Sequence, residues 1–346
     1  MTMAAPTIDY ENTLAALLES CRAQLLDSKA PSPIQALMRG LDRIRAGVSS
    51  IAWRTLAAAA REHATFSLLM QDPYTARAFL KPRGYAGDAV MLDYVYGSAD
   101  RSSVYSGATD IGTAVHAYTA VASPPAKAVR WRRNWIASEI ETMALTAKRP
   151  LKLLSFACGH LREYEQVHPL LRERACAWTA ADQDHESLDH VRKSYDARTV
   201  RCSPTAVRGL LSGSHDLETD YDVVYTLGLF DYLTDRLAIR VMGALWRHVA
   251  AGGRLVVANF SPDSPGAGYM EMFMDWWLIY RTRGRGRDSG YPLPPAQSRA
   301  GATHAHGSCL GCLASKRAVG YGCWISTAGS KLPSRSMNRA HVQRLL

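Results

Sequence analysis

Five short apolar runs in the middle of the chain alternate with segments of helical pattern, and this alternation constrains the fold more than any other feature. The runs are residues 152–157, 175–181, 199–202, 221–226 and 254–260. Between them, apolar residues recur at helical spacing. Short buried strands that alternate with helices form a parallel sheet covered on both faces. We therefore predict an α/β fold with a doubly wound, Rossmann-like and mostly parallel sheet.

The regions on either side of these runs differ from them in composition and in the spacing of apolar residues. This difference predicts three domains. Residues 1–150 repeat helical periodicity between Pro- and Gly-containing breaks, so we expect a helical N-terminal cap or substrate region. Residues 151–281 contain the sheet pattern. Residues 282–346 are rich in glycine, proline and basic side chains and show no sustained period. We expect them to form an irregular, disordered tail.

The positive charge of the chain is confined to its end. The formal net charge is +10, but the residues up to Tyr280 carry 30 Lys and Arg against 30 Asp and Glu. The last 66 residues carry 11 basic side chains and one acid, Asp288. Because nucleic-acid binding needs a basic surface, we expect no nucleic-acid partner for residues 1–280. A nucleic-acid binder driven by the tail stays open as an alternative.

The sequence predicts a cytoplasmic protein without a transmembrane segment. No stretch approaches the ~18 uninterrupted apolar residues of a membrane span, and the N-terminus lacks the layout of a signal peptide. Seven cysteines, an odd number, then favour reduced thiols over a disulfide framework. Residues of zinc-ligand type lie together near the C-terminus: Cys309, Cys312, His304, His306 and Cys323. No strand or knuckle pattern surrounds them, so we expect no metal site.

Two strand ends predict a nucleoside-containing cofactor, because ligands of a doubly wound sheet bind at the carboxyl ends of its strands. Ala157, Cys158 and Gly159 are small residues that let a ligand approach the backbone. Asp182 ends the second run, where its carboxylate can bind both hydroxyls of a ribose. No further glycine follows Gly159 closely, so the dinucleotide fingerprint is absent. A cofactor with ribose and adenine but no phosphate fits better, which indicates S-adenosyl-L-methionine, with Gln183 lying over it.

From residue 151 to residue 260 the chain resembles class I S-adenosylmethionine-dependent methyltransferases in the order and spacing of these runs. Over residues 60–281 it is more specifically similar to bacterial extracellular factor 3-hydroxypalmitic acid methyl ester biosynthesis proteins. The shared marks are Lys81-Pro82-Arg83-Gly84-Tyr85-Ala86-Gly87-Asp88, Met91-Leu92-Asp93-Tyr94, Ala157-Cys158-Gly159 with Arg162-Glu163, Asp182-Gln183-Asp184, and Gly228-Leu229-Phe230-Asp231-Tyr232-Leu233. Two departures are Ser155, which stands where many class I enzymes carry an acid, and His160, where a small residue or proline is expected.

This resemblance implies an enzyme of fatty acid methyl ester biosynthesis. It would methylate the carboxyl, or the hydroxyl, of a small or fatty-acid-like molecule such as a 3-hydroxy fatty acid. The loop after the fourth run would face the transferred methyl group and line the site with Gly228, Leu229, Phe230 and Asp231. The alternative is an ordinary loop in which Asp231 caps the following helix.

The resemblance also suggests a lid that covers the methionine end of the cofactor. Arg83, Tyr85 and Asp88 lie on a glycine-containing loop outside the sheet, and the alternative is a surface turn between helices. A carboxylate acceptor needs no general base, so Arg83 would hold it and Tyr85 would orient it. A hydroxyl or amine acceptor would give its proton to Asp88, Asp231 or His160. Arg83, Tyr85, Asp88 and Asp231 are therefore the predicted catalytic residues.

Other functions remain open at this stage. The chain fits a cofactor-binding relative that is catalytically impaired or regulatory, since Ser155 and the tail depart from the family pattern. It also fits a methyltransferase of a non-lipid small molecule. The sequence does not determine the oligomeric state.

Overall fold

The computed structural model describes residues 9–27, 33–97, 109–281, 314–317 and 323–328. The described chain divides into two compact units. The helical unit contains the described residues up to Arg130 and the later segment Asp263–Trp277. The sheet unit contains Trp131–Pro262 and the described residues from Leu278 onward.

Helices account for nearly all the regular structure of the N-terminal part. They are α1 Tyr10–Leu26, α2 Pro33–Gly47, α3 Ser50–Glu62, α4 Thr65–Leu69, α5 Pro73–Leu80, α6 Ala89–Tyr96, α7 Asp110–His116, a π-helical turn Ala117–Ala122, and α8 Pro124–Ala144. The division between the two units falls within α8, after Arg130. The predicted boundary at residue 150 lies beyond the end of this helix.

Polar side chains begin several of these helices. Asp9 accepts a hydrogen bond from the Asn12 backbone N–H, and Ser49 accepts one from that of Ala52. Such caps satisfy backbone donors that the first turn of a helix leaves unpaired. Helical spacing over residues 51–70 predicts one helix there, but the structure has two, because His63 adopts an extended conformation after α3.

A seven-stranded sheet forms the second unit. Its strands are β1 Leu151–Phe156, β2 Cys176–Asp182, β3 Val200–Pro204, β4 Tyr221–Thr226, β5 Val249–Phe260, β6 Ala314–Arg317 and β7 Cys323–Ala328. They lie in the order β3-β2-β1-β4-β5-β7-β6. The pairs among β1 to β5 are all parallel, whereas β7 is antiparallel to both β5 and β6. The prediction of a doubly wound, mostly parallel sheet is confirmed.

Two strands lie in the segment that the composition predicts to be irregular. Residues 323–328 pair with β5 from Leu255 to Phe260, and residues 314–317 pair with β7. These two short strands within the tail were not predicted from the sequence. Their short runs carry no strong strand pattern, and partner strands can decide such cases over local propensity.

Four helices connect the parallel strands: α9 Pro169–Arg174, α10 His185–Ser194, α11 Val207–Ser212 and α12 Asp235–Trp246. Phe156, Val224 and Val241 are among the fully buried residues of the core between the sheet and the helices. Helical spacing over residues 162–173 predicts one helix, and this prediction is wrong in extent. A 3-10 turn and the short α9 replace it, because Pro169 starts a helix and lacks the N–H needed inside one.

The chain after β5 belongs to the helical unit, where helix α13 spans Ala267–Phe273. Glu271 on α13 is 3% exposed and accepts hydrogen bonds from Arg45 Nε at 2.7 Å and from Trp53 Nε1 at 2.8 Å. The backbone N–H groups of Gly266 and Gly268 donate to the carboxylate of Asp42. Helical spacing predicts a helix over residues 267–281, but in the structure this helix ends at Phe273. No helix in the described part of the chain is long and apolar enough to cross a membrane.

Candidate functional site

A sharp turn follows β1. Ala157, Gly159 and Leu161 have positive φ angles of 56°, 53° and 52°. This left-handed conformation is uncommon for residues other than glycine, and strained backbone of this kind concentrates at functional sites. The Cys158 N–H donates to the carbonyl of Ala181 at 3.1 Å, so the turn begins directly beside β2.

The turn is fastened by Asp182, the last residue of β2. Its Oδ2 accepts the backbone N–H of Gly159 at 2.8 Å, and its Oδ1 accepts that of Asp184 at 2.9 Å. Asp182 is 6% exposed, and burial raises the pKa of its carboxyl, while these N–H groups act to lower it. The structure thus brings together Gly159 and Asp182, which the sequence singled out separately.

Asp184 and Gln183 follow Asp182, and the structure shows which of these residues caps the next helix and which is exposed. Asp184, not Asp182, caps α10, since its Oδ1 accepts the N–H of Glu186 at 3.1 Å. Asp182 itself therefore does not cap this helix. Gln183, predicted to lie over the cofactor, is exposed.

In the β1 turn, burial raises the pKa of the Cys158 thiol well above its usual range, which argues against a nucleophilic thiolate there.

Glu163 is a buried acid beside β1 that the sequence did not mark as a site residue. Its Oε1 accepts hydrogen bonds from Ser155 Oγ at 3.0 Å and from Tyr225 OH at 2.8 Å. Glu163 is 6% exposed, and burial raises the pKa of its carboxyl. Ser155 stands at the position where many class I enzymes carry an acid. The carboxylate of Glu163 lies next to this serine. The adjacent Arg162-Glu163 pair was a usable signal, but only the fold brings its carboxylate back onto the strand.

The loop after β4 is tightly built. Phe230 is 3% exposed and belongs to the hydrophobic core, and Leu229 packs against that core. Asp231 does not cap α12. It lies buried in a 3-10 turn, and its Oδ1 accepts the N–H of Phe260, at the end of β5, at 2.7 Å. Burial raises the pKa of Asp231 to about 6, although Arg132 acts to lower it. This carboxylate thus joins the ends of two neighbouring strands.

Two buried arginines surround this loop, and the sequence did not identify either. Arg132 Nη1 lies 3.9 Å from Asp231 Oδ2, and a Cβ placed on Gly228 would lie 3.5 Å from Arg132 Nη2. Arg281 donates through Nη1 to the Phe230 carbonyl at 2.6 Å and binds Leu233 O through Nη2. Both side chains are at least nine-tenths buried. Charged residues inside helical or irregular segments carry no sequence signal for burial, which is why they were missed.

The loop that carries Arg83, Tyr85 and Asp88 connects α5 and α6 in the helical unit. Arg83 and Tyr85 are half-buried, and Gly84 has a φ of 85°. Asp88 is fully buried, caps α6 through the Met91 N–H at 2.7 Å and pairs with Arg77 Nη2 at 2.8 Å. The four predicted catalytic residues are therefore divided, with Asp231 in the sheet unit and the other three in the helical unit.

Two further predictions concern His160 and the residues of zinc-ligand type near the C-terminus. His160, considered as a proton acceptor, is 5% exposed and its ring stacks on that of His190 at a centroid distance of 4.0 Å. Among the described residues, no group of three or more His, Cys, Asp or Glu side chains is arranged to hold a metal ion. Cys309, Cys312, His304 and His306 lie outside the described residues, and so does the side chain of Cys323.

Comparison with known proteins yields structural likeness only. No protein-family model matches the chain, and no curated protein does. A possible exported protein from Bordetella parapertussis is 16% identical, over 94% of this chain and 98% of that one, with a TM-score of 0.48. A TehB-like SAM-dependent methyltransferase from Corynebacterium glutamicum is 15% identical, over 60% of this chain and 98% of that one, with a TM-score of 0.33. A putative sarcosine dimethylglycine methyltransferase from Galdieria sulphuraria is 10% identical, over 45% and 58% respectively, with a TM-score of 0.34. At this level the likeness says nothing about activity or ligand.

Proposed function

We propose that the chain is an S-adenosyl-L-methionine-dependent methyltransferase whose cofactor binds at the carboxyl ends of β1 and β2. The observation that carries this proposal is the contact between Gly159 N–H and Asp182 Oδ2. It places a carboxylate against a tight turn at the edge where β1 lies between β2 and β4. That edge is the topological switch point, where ligands of doubly wound sheets bind.

The residues at this edge fit the proposed cofactor. A carboxylate has about four lone-pair sites, and each oxygen of Asp182 accepts one backbone N–H, so acceptor capacity is left for two ribose hydroxyls. Thr226, the last residue of β4, is 1% exposed, and its hydroxyl has no hydrogen-bond partner among the described residues. A polar ligand at the strand ends would satisfy such a group. The turn lacks the repeated glycines that a pyrophosphate requires.

The residues of the chain would act mainly by binding and orientation. The bound cofactor supplies an activated methyl group, and holding two reactants in line is worth several kcal/mol of the barrier (about 7–11 in well-oriented cases). Asp182 would hold the ribose by accepting its hydroxyl protons in hydrogen bonds. The loop with Gly228, Leu229 and Phe230 would close the edge beside β4, and its packing on the core keeps that part of the site dry.

For the methyl acceptor we propose the carboxyl, or the hydroxyl, of a fatty-acid-like molecule such as a 3-hydroxy fatty acid. The sequence resemblance, above all the run from Lys81 to Asp88, supports this choice. Arg83 would hold an acceptor carboxylate and Tyr85 would orient it. Asp231 and Asp88 are weaker candidates for a proton acceptor, because the first accepts the Phe260 N–H and the second is paired with Arg77. A non-lipid small molecule is the alternative acceptor.

Cofactor binding is tested by calorimetric titration of S-adenosylmethionine and S-adenosylhomocysteine. We expect Asp182→Asn to weaken both at least tenfold, since a hydrogen bond to a charged group contributes about 1.5–3 kcal/mol. The amide oxygen can still accept one of the two backbone N–H groups, which favours folding. Asp189→Asn, at an exposed position on α10, is the matched control and should bind as the unmodified chain does. Unchanged affinity in Asp182→Asn would contradict the proposed site.

Turnover is tested with methyl-labelled cofactor and a panel of fatty acids and 3-hydroxy fatty acids, followed by mass spectrometry. The proposal predicts labelled methyl esters or ethers of these acids. Products confined to amines or phenols would exclude the fatty-acid-like acceptor but keep a methyltransferase. Cofactor binding without turnover on any acceptor would instead support an impaired or regulatory relative.

A further inference from the structure

Lys81 begins the loop that carries Arg83 and Tyr85, and its backbone has an unusual conformation. Its φ is 50°, and Asp275, just after the end of α13, has a φ of 44°. These are two of the five non-glycine residues with positive φ in the described part of the chain, and two others lie in the β1 turn. The left-handed conformation is unfavourable for a residue with a side chain. It persists where surrounding contacts hold it, and such residues concentrate at functional sites.

The two strained residues bind each other within the helical unit. Lys81 Nζ donates to Asp275 Oδ2. The other carboxylate oxygen accepts from Arg61 Nη2 at 3.0 Å and from Trp277 Nε1 at 2.7 Å. Arg61 also donates through Nε to the Met272 carbonyl, in the last turn of α13, at 2.8 Å. Burial acts to raise the pKa of Asp275, but its three side-chain hydrogen bonds outweigh burial and lower the pKa. Asp275 is thus a fixed, charged anchor for Lys81.

The loop is held at its other end as well. Asp88 is fully buried and caps α6, so Arg83 and Tyr85 lie between two fixed points. Within the loop, the Gly84 N–H donates to the Lys81 carbonyl at 2.8 Å. The orientation of the Lys81 backbone therefore sets the path of the turn that contains Arg83.

Stability alone does not account for the ion pair. The side chains of Lys81 and Asp275 are each 30% exposed. A partly exposed ion pair contributes little to the free energy of folding, because solvent and salt screen it. Glycine would adopt the left-handed conformation at position 81 without steric cost and would still end α5. What lysine adds over glycine is a defined position for the start of the loop.

We propose that Lys81 and Asp275 are positioning residues, an inference that rests on the proposed function. Their ion pair holds the loop in the conformation in which Arg83 and Tyr85 bind the methyl acceptor. The competing explanation is that Lys81 only ends α5, and it predicts that glycine serves equally well at position 81. The positioning role predicts instead that the loop loosens and that the acceptor, but not the cofactor, binds more weakly.

Two variants remove the ion pair in different ways. Lys81→Gly permits the same backbone conformation and loses the cation. Asp275→Asn loses the anion but keeps an oxygen that can accept from Arg61 and Trp277. Hydrogen exchange of the Gly84 amide reports on the loop without any ligand. We expect this amide to exchange about two- to fivefold faster in both variants, as for the loss of a partly exposed ion pair. Lys81→Arg, which retains the cation, should exchange at the original rate.

Kinetics with palmitic and 3-hydroxypalmitic acid test the effect on the acceptor. We expect the KM for the methylated acid to rise about two- to fivefold in both variants, with kcat unchanged, because only binding is affected. The calorimetric affinity for S-adenosylhomocysteine should stay the same. Lys148→Gly, at an exposed lysine before β1, is the matched control and should behave as the unmodified chain does. Either variant suffices should the other not fold.

Unchanged exchange of the Gly84 amide, or faster exchange with an unchanged KM, would overturn the positioning role and leave the proposed function standing. Weaker binding of S-adenosylhomocysteine would also overturn it, since the loss would not be specific to the acceptor. If the unmodified chain binds the cofactor but methylates neither acid, the proposed acceptor fails and this inference fails with it. The exchange rates would still show whether the ion pair orders the loop, so the two failures are distinguishable.

Discussion

At the scale of single residues, buried carboxylates hold the turns at the carboxyl ends of the strands together, and the sequence identifies only some of them. Asp182 was predictable because it ends an apolar run, and the structure places it against the turn that the sequence also marked. Glu163 and Asp231 are also buried, but each lies outside a strand. The local sequence cannot show that such an acid turns inward, because burial of a charge depends on partners distant in the chain, here Tyr225 and Phe260.

Asp231 gives a prediction for stability against pH. The pKa of Asp231 is raised to about 6, whereas an unfolded aspartate titrates near 3.8. Between these values the folded chain binds a proton that the unfolded chain does not, so this group stabilises the fold fully below about pH 4. Its contribution, about 3 kcal/mol for a shift of this size, is lost as the pH rises through 6.

The test compares Asp231→Asn with the unmodified chain by urea denaturation at pH 4.5 and pH 7.5. The amide is neutral at both values and can still accept the Phe260 N–H. We expect the free energy of unfolding of the variant, relative to the unmodified chain, to be higher at pH 7.5 than at pH 4.5. The difference cancels the other raised carboxyls, such as Glu163. A difference independent of pH would show that Asp231 is not the group responsible.

At the scale of elements, caps and strand ends explain which predictions succeeded. The sequence predicts a short helix over residues 89–96 and a strand over residues 221–226, and α6 and β4 have these bounds. For α6 the local signals are clear, since Asp88 caps its start and Gly97 its end. The helices predicted after β1 and β5 were too long. The first was predicted from residue 162, but Pro169 starts α9. The apolar spacing of the second continues past Phe273, and the positive φ of Asp275 (44°) prevents the helix from continuing. The spacing of apolar residues shows which face of a helix is buried, but it does not show where the helix begins or ends.

Asp88 yields a prediction for its loop. It caps α6 and pairs with Arg77 while fully buried, so removing it leaves a half-buried guanidinium without this partner and an uncapped helix. We expect Asp88→Ala to lower the free energy of unfolding by about 3 kcal/mol, the lower end of the range for breaking a buried pair, because Arg77 retains contact with solvent. Urea denaturation measures this. Asp27→Ala, at an exposed position just after α1, should change stability little. Loss of turnover in Asp88→Ala without loss of stability would instead favour the catalytic role.

At the scale of the whole molecule, the sequence predicts the doubly wound parallel sheet, but it does not predict which unit the later segments join. Alternating runs specify a doubly wound sheet because few other arrangements bury them. The segment with α13 joins the helical unit through polar contacts of Glu271 and Asp42. Those contacts bridge more than 200 positions of sequence, and no local pattern encodes them. The strands β6 and β7 were missed for a similar reason, since their pairing with β5 creates them.

The pairing of β7 with β5 predicts the effect of truncation. Residues 255–260 of β5 are buried and lie opposite β7. A chain ending at residue 313 would expose this strand as an apolar edge with unpaired backbone groups, which promotes association between chains. We expect size-exclusion chromatography to show larger species and thermal melting to begin earlier than in the full chain. A truncated chain that elutes and melts like the full one would show that β7 does not protect the edge.

The double hydrogen bond of Asp182 has a consequence for how a ligand would be recognised. With one carboxylate anchored to both Gly159 and Asp184, the acceptor atoms for a sugar stand in place before any sugar arrives. The Asp182 side chain then loses little conformational freedom when a ligand binds, so less of the binding free energy is spent on ordering it. The amides of Gly159 and Asp184 should consequently exchange with deuterium slowly even in the ligand-free protein, and this preorganisation can be watched without measuring binding at all.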